Sequence, residues 1–89
     1  MTANPFTANT GWDSDNRYTA SGATDVLVSN ASQSFTVFWT LTATDTAPTV
    51  DPDETNALLP GQFIAMQLAD TERLWLASRS GEAAVNVED

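Results

Sequence analysis

The 89-residue sequence contains no cysteine, no histidine and no lysine. Without cysteine the chain cannot form disulfides, thiolate zinc sites or a cysteine nucleophile. Without histidine it lacks the usual general base near neutral pH and the commonest metal ligand, so a serine–histidine–acid triad is excluded. The four glycines are isolated, which excludes a glycine-rich loop for phosphates or dinucleotides. We therefore expect no enzyme activity, no cofactor and no metal centre.

Positive charge is scarce as well. Three arginines stand against twelve acidic residues, and the formal net charge is −9. Because nucleic acids and anionic membranes are bound by clustered basic side chains, we expect neither as a partner. No apolar run approaches the roughly 20 residues that cross a bilayer. Residues 1–16 lack the basic and apolar stretches of a signal peptide, so we expect synthesis in the cytoplasm without secretion by the general route.

A chain of 89 residues corresponds to one small domain. Without disulfides or a metal, so short a chain commonly gains stability from oligomerisation or docking. We divide it into an extended N-terminal arm over 1–16 and a single β domain over 17–89, which includes a proline-containing acidic loop over 43–57. The arm holds Phe6 and Trp12 in an otherwise polar stretch, which suggests that it is pinned to this chain or to a neighbour.

Apolar and polar residues alternate along much of the domain. The clearest case is Ser34–Thr42, where every second residue from Phe35 to Leu41 is apolar, a period typical of a strand. The pattern predicts strands over 24–29, 34–42, 62–68, 73–78 and 83–87, and a sixth over 17–20 if that segment pairs. We expect the first two strands to form a hairpin, and the third and fourth another. The predicted fold is all-β, a small antiparallel β-sandwich or barrel with an extended N-terminal arm.

Aromatic residues provide the candidates for an interface. Phe38, Phe63 and Trp75 lie on strand faces opposite to their strongly apolar neighbours. Two interpretations remain open. The other sheet, the arm or the loop could cover both faces, or these side chains could form an apolar patch for a partner. The interface candidates, including the two aromatic residues of the arm, are Phe6, Trp12, Phe38, Phe63 and Trp75.

The acidic loop is the best candidate for chemistry. Its carboxylates are by default solvated, but flexible loops rich in oxygen ligands also bind calcium. Asp45, Asp51, Asp53 and Glu54 would supply those ligands. The segment 13–16 begins like an EF-hand loop, but the fifth position is a cation and the sixth is not glycine, so the match fails.

Three segments of the C-terminal half carry a resemblance. Leu59–Phe63, Arg73–Ser78 and Ala83–Val87 follow one another with a polar turn and then a glycine turn between them. Together with Val28–Asn30, they resemble small β-sandwich virion proteins of tailed bacteriophages, in which a proline–glycine step precedes a strand, a leucine–tryptophan hairpin and an alanine–valine final strand. The resemblance covers about residues 24–87, and the acidic loop and the arm depart from it.

The resemblance implies a capsid decoration (cement) protein. Such a protein binds the major capsid protein on the outer surface of the phage head and bridges neighbouring subunits. It implies a homo-oligomer, with a trimer favoured, located in the virion. The alternatives are a tail or head-fibre component, or a carbohydrate- or calcium-dependent binding module. A carbohydrate module would use Trp12 or Trp75 as a stacking platform.

Overall fold

The computed structural model describes residues 2–89, so Met1 lies outside the described part of the chain. Two antiparallel four-stranded sheets pack face to face, which confirms the all-β prediction and makes the fold a sandwich. The strands in chain order are β1 Ala3–Ala8, β2 Arg17–Thr19, β3 Thr24–Asn30, β4 Val37–Thr42, β5 Asn56–Leu58, β6 Phe63–Leu68, β7 Arg73–Ser78 and β8 Ala83–Glu88.

The strand order is β1-β8-β3-β6 in the first sheet, called sheet A, and β2-β7-β4-β5 in the second, called sheet B. Two short 3-10 helices, Ser14–Asn16 and Pro52–Glu54, lie in the connections. No helix among residues 2–89 has the length and apolar character needed to cross a bilayer.

Alternation along the strands places the core between the two sheets. From sheet A it takes every second residue, such as Val26 and Val28 of β3 and Val85 and Val87 of β8. Sheet B contributes Leu74 and Leu76 of β7 in the same way. Because the pleat turns successive side chains to opposite faces, the remaining residues of each strand form the two outer faces of the sandwich.

The N-terminal segment is extended, and it is pinned to this chain's own sheet. Ala3–Ala8 form edge strand β1, which pairs with β8. Phe6 lies opposite Val85 and packs against the core. The N–H of Ser78 then donates to the carbonyl of Asn9 at 2.7 Å, which ties the following residues to sheet B. The first half of the predicted arm is therefore a strand of the sandwich.

Both predicted hairpins are wrong. β3 and β4 belong to different sheets, and so do β6 and β7. Among consecutive strands of residues 2–89, only β4 and β5 pair with each other. Residues 31–36 and 69–72 therefore carry the chain from one sheet across to the other. A polar turn between two alternating segments does not distinguish this crossing from a hairpin, because both satisfy the same pattern.

Asn30 explains the first crossing. Its side chain is 1% exposed, and its Nδ2 donates to the carbonyls of Phe35 at 2.8 Å and Leu58 at 2.9 Å. Its Oδ1 accepts from the N–H of Ser32 at 3.0 Å. Leu58 belongs to sheet B whereas Asn30 ends β3 of sheet A, so this one amide joins the two sheets and fixes the turn between them.

Candidate functional site

The outer face of sheet B carries two of the predicted interface aromatics, and it is closed. Phe38 is 5% exposed and Trp75 is 1% exposed, although both point away from the core between the sheets. Ala77, opposite Phe38, is buried as well. Strand β7 is thus covered on both faces. Two interpretations were open for Phe38 and Trp75. The structure favours the one in which other segments of the same chain cover them.

The cover consists of residues 9–16 and the acidic loop. The 3-10 helix Ser14–Asn16 contacts β7, and the 3-10 helix Pro52–Glu54 contacts β4. Trp12, which is half-buried, joins the two covering segments because its Nε1 donates to the carbonyl of Val50 at 2.9 Å. Trp12 therefore helps to hold the cover in place.

Two arginines hold the acidic loop to sheet B. Nη1 of Arg17 lies 3.4 Å from Oδ1 of Asp45, and Nε of Arg73 lies 2.9 Å from the same oxygen. Nη1 of Arg73 also donates to the carbonyls of Ala43 and Thr71. Because the Asp45 side chain is 68% exposed, water and salt screen these ion pairs, and they contribute less than about 1 kcal/mol each. Their main effect is therefore on the position of the loop, and their effect on the stability of the fold is small.

Trp75 is held by polar contacts on its outer side. The guanidinium of Arg17 lies over its ring, with Cζ 5.2 Å from the ring centroid. Its Nε1 donates to Oγ1 of Thr42 at 2.7 Å. A sugar ring therefore has no free tryptophan face to stack on at this position, because the arginine occupies it.

The acids of the loop do not converge. Asp45 lies with the two arginines, whereas Asp51 and Asp53 line a cleft of about 420 Å³ together with Phe38 and Arg79. Across residues 2–89, no three histidine, cysteine, aspartate or glutamate side chains lie close enough to hold a metal ion. The structure therefore gives no support to the calcium site considered for these residues.

The outer face of sheet A is open. Phe63 is 70% exposed and lies opposite Ser29, whose other neighbour is Asn86. The outward residues of this sheet are mostly small or uncharged, and the two acids among them lie toward one end. They are Ala3, Pro5, Thr7, Asp25, Leu27, Ser29, Phe63, Ala65, Gln67, Ala84, Asn86 and Glu88. We call this surface the sheet A outer face.

The five predicted interface residues are therefore not brought together. Phe6 packs against the core, Trp12 holds the cover, and Phe38 and Trp75 lie beneath it. Phe63 alone among them is exposed. Sequence reasoning missed the small residues around Phe63, because alanine, serine and threonine on a strand do not by themselves mark a surface.

Tyr18 forms a separate polar contact beside the core. Its hydroxyl donates to Oδ2 of Asp89 at 2.7 Å. Burial, the hydrogen bond to Asp89 and the negative charge of Asp89 together raise the pKa of Tyr18 to about 12, and burial is the largest of these causes. The neutral phenol is thus stabilised in the fold. Its contribution is fully present below the unfolded pKa of about 10, and it is lost as the pH rises through 12.

Tyrosinate absorbance tests this directly, because Tyr18 is the sole tyrosine of the chain. We expect a titration midpoint near 12 in the folded protein and near 10 in urea. The variant Asp89→Asn should lower the midpoint without returning it to 10, since burial is the larger cause. Tryptophan fluorescence confirms that the chain stays folded. A midpoint near 10 in the folded protein would contradict this assignment.

Comparison with protein-family models, with curated proteins and with solved structures gives no match.

Proposed function

We propose that the chain is a structural virion protein that decorates the outer surface of a tailed-phage head. In this proposal it binds the major capsid protein through the sheet A outer face. The observation that supports it is Phe63, 70% exposed on a surface of small, mostly uncharged side chains. Aromatic residues are enriched, and charged residues are depleted, at the core of the surfaces where proteins bind one another.

The distribution of charge supports the same orientation. The chain has a net charge of −9, and the acidic loop lies on the opposite side of the sandwich, over sheet B. With sheet A against the capsid, the acidic loop would face the solvent. That charge repels DNA, which suits the outside of a head better than its interior.

Addition of the purified protein to undecorated, expanded heads of the phage that encodes it tests the proposal. We expect the protein to sediment with the heads up to a fixed ratio of copies to capsid subunits. Phe63→Asp should weaken this binding at least tenfold, because it places a carboxylate in the apolar contact. Thr46→Asp, which adds the same charge to the exposed loop, is the matched control and should bind as the wild type does.

Two outcomes would contradict the proposal. One is wild-type protein that stays in the supernatant with intact heads. The other is binding that Thr46→Asp weakens as much as Phe63→Asp does, because the contact would then not involve sheet A. The trimer that the resemblance favours is tested separately by the mass of the isolated protein.

A further inference from the structure

Each sheet of the sandwich has two edge strands, which leave backbone N–H and C=O groups without a partner strand. In sheet B the edges are β2 and β5, and both are only three residues long. In sheet A, edge strand β1 contains Pro5. Short edges and edge prolines are known protections against pairing with another chain. Strand β6 has neither, since it is six residues long and contains no proline, glycine or charged residue.

The register shows which groups of β6 are free. The N–H of Asn30 donates to the carbonyl of Gln62 at 2.9 Å, at the start of the β3–β6 ladder. Because antiparallel pairs alternate, Ile64 and Met66 direct their N–H and C=O groups toward β3. Phe63, Ala65 and Gln67 direct theirs to the open edge. Along this edge, three alternate residues therefore have both a backbone N–H and a C=O available to bond to another strand.

The opposite edge provides a comparison within the same sheet. Thr2 and Asp89 exchange two backbone hydrogen bonds of 3.1 Å, so Ala3, Pro5 and Thr7 of β1 direct their backbone groups outward. Proline has no N–H, and Pro5 stands at the middle of these three positions. The β1 edge is thus interrupted where the β6 edge is continuous.

We propose that β6 pairs in antiparallel fashion with β6 of a second copy of this chain, about a two-fold axis at Ala65. Ala65 then lies opposite Ala65 of the second copy, and Phe63 lies opposite Gln67. These pairs join two copies of sheet A into one continuous eight-stranded sheet. This inference does not rest on the proposed function, because it concerns the isolated protein.

The distribution of charge permits a second copy at this edge. A chain with a net charge of −9 resists association wherever carboxylates would meet. The antiparallel register brings Asp70 and Glu72, which follow the end of β6, next to the uncharged segment Leu59–Gln62 of the other copy. The carboxylates of the two copies are thus kept at opposite ends of the contact.

Side chains of β6 also fit a copy of the same strand. Ile64 and Met66 are half-buried at the rim of the core. In the proposed register Ile64 lies opposite Met66 of the second copy. This is a non-hydrogen-bonded pair, the type of antiparallel pair in which the two side chains lie closer together. Both would become fully covered, extending the core across the junction. A six-residue strand spans only about 20 Å, so we expect a dimer that forms with rising concentration rather than a permanent one.

Sedimentation equilibrium of the isolated protein measures the association. We expect the mass to rise from 9.5 kDa toward twice that value as the concentration increases. Ala65→Pro removes an outward N–H and leaves the bonds to β3 in place, so it should remain a folded monomer. Thr7→Pro is the matched control, since it removes an outward N–H from the other edge of sheet A, and it should dimerise as the wild type does.

Amide hydrogen exchange of the wild-type protein gives a second test that needs no variant. We expect protection of the amides of Phe63, Ala65 and Gln67 to increase with concentration, while those of Ala3 and Thr7 stay unprotected. A monomer at every concentration would overturn the proposal, and so would a mass of three copies. Dimerisation that Ala65→Pro leaves unchanged would overturn it too.

Discussion

Phe38→Ala is expected to lower the free energy of unfolding by about 3–5 kcal/mol, the range for a buried phenylalanine truncated to alanine. Phe38 lies on an outer face of the sandwich yet is only 5% exposed, because residues of the acidic loop and of the segment before Ser14–Asn16 lie over it. Truncation leaves a cavity that this cover does not fill. The result would show that the outer face of sheet B is part of the folded interior.

Phe63→Ala is the matched control for that experiment. It removes the same side chain from the other outer face, where Phe63 is 70% exposed, and should change the stability by no more than about 0.5 kcal/mol. Urea unfolding measures both variants, with the slope of the transition as a check on two-state behaviour. Equal effects of the two substitutions would contradict the assignment of a closed face and an open face.

Asn30→Asp is expected to cost about 3 kcal/mol, because it places a carboxylate oxygen against two carbonyls that now accept hydrogen bonds. The two carbonyls are those of Phe35 and Leu58, and Asn30 is 1% exposed between them. The loss includes the connection between the sheets. Urea unfolding again provides the measurement.

Asn56→Asp serves as the control, since Nδ2 of Asn56 donates to the carbonyl of Trp39 at 3.2 Å in an exposed position. We expect it to cost less than about 1 kcal/mol, because water can replace an exposed hydrogen bond. If Asn30→Asp were no more damaging than Asn56→Asp, the buried amide would not be what holds the crossing between sheets.

Alternation in the sequence was sufficient to predict most strands. The predicted segments 24–29, 62–68, 73–78 and 83–87 lie within one residue of β3, β6, β7 and β8. The segment 34–42 begins three residues before β4, because Oγ of Ser32 accepts from the N–H groups of Ser34 and Phe35 and holds them in the turn. Over β1 the sequence predicts only an extended arm, because threonine, asparagine and proline interrupt any apolar period there.

Pairing of the strands could not be predicted in the same way. A strand with one apolar face satisfies its pattern in either sheet, so alternation does not decide its neighbours. The polar turn after Asn30 predicts a hairpin, whereas the buried amide contacts of Asn30 to Phe35 and Leu58 belong to a crossing between the sheets. Those contacts depend on β5, which is three residues long and has little pattern of its own.

The candidate surface was identified only in part. Phe63 and Phe38 both depart from alternation in the sequence, and nothing local distinguishes them. Phe38 becomes buried because Thr10 and the segment Asp51–Asp53, both distant in sequence, lie beside it on the outer face of sheet B. Phe63 stays exposed because no segment of residues 2–89 crosses sheet A in that way.

The central claim is the proposal that the chain decorates a tailed-phage head, and an electron cryomicroscopy map of such heads with the protein added would test it most directly. The account predicts copies on the outside of the head, with the sheet A outer face and Phe63 against the capsid shell and the acidic loop toward the solvent. A map with sheet B and its loop against the shell would contradict it, as would heads that carry no copies at all.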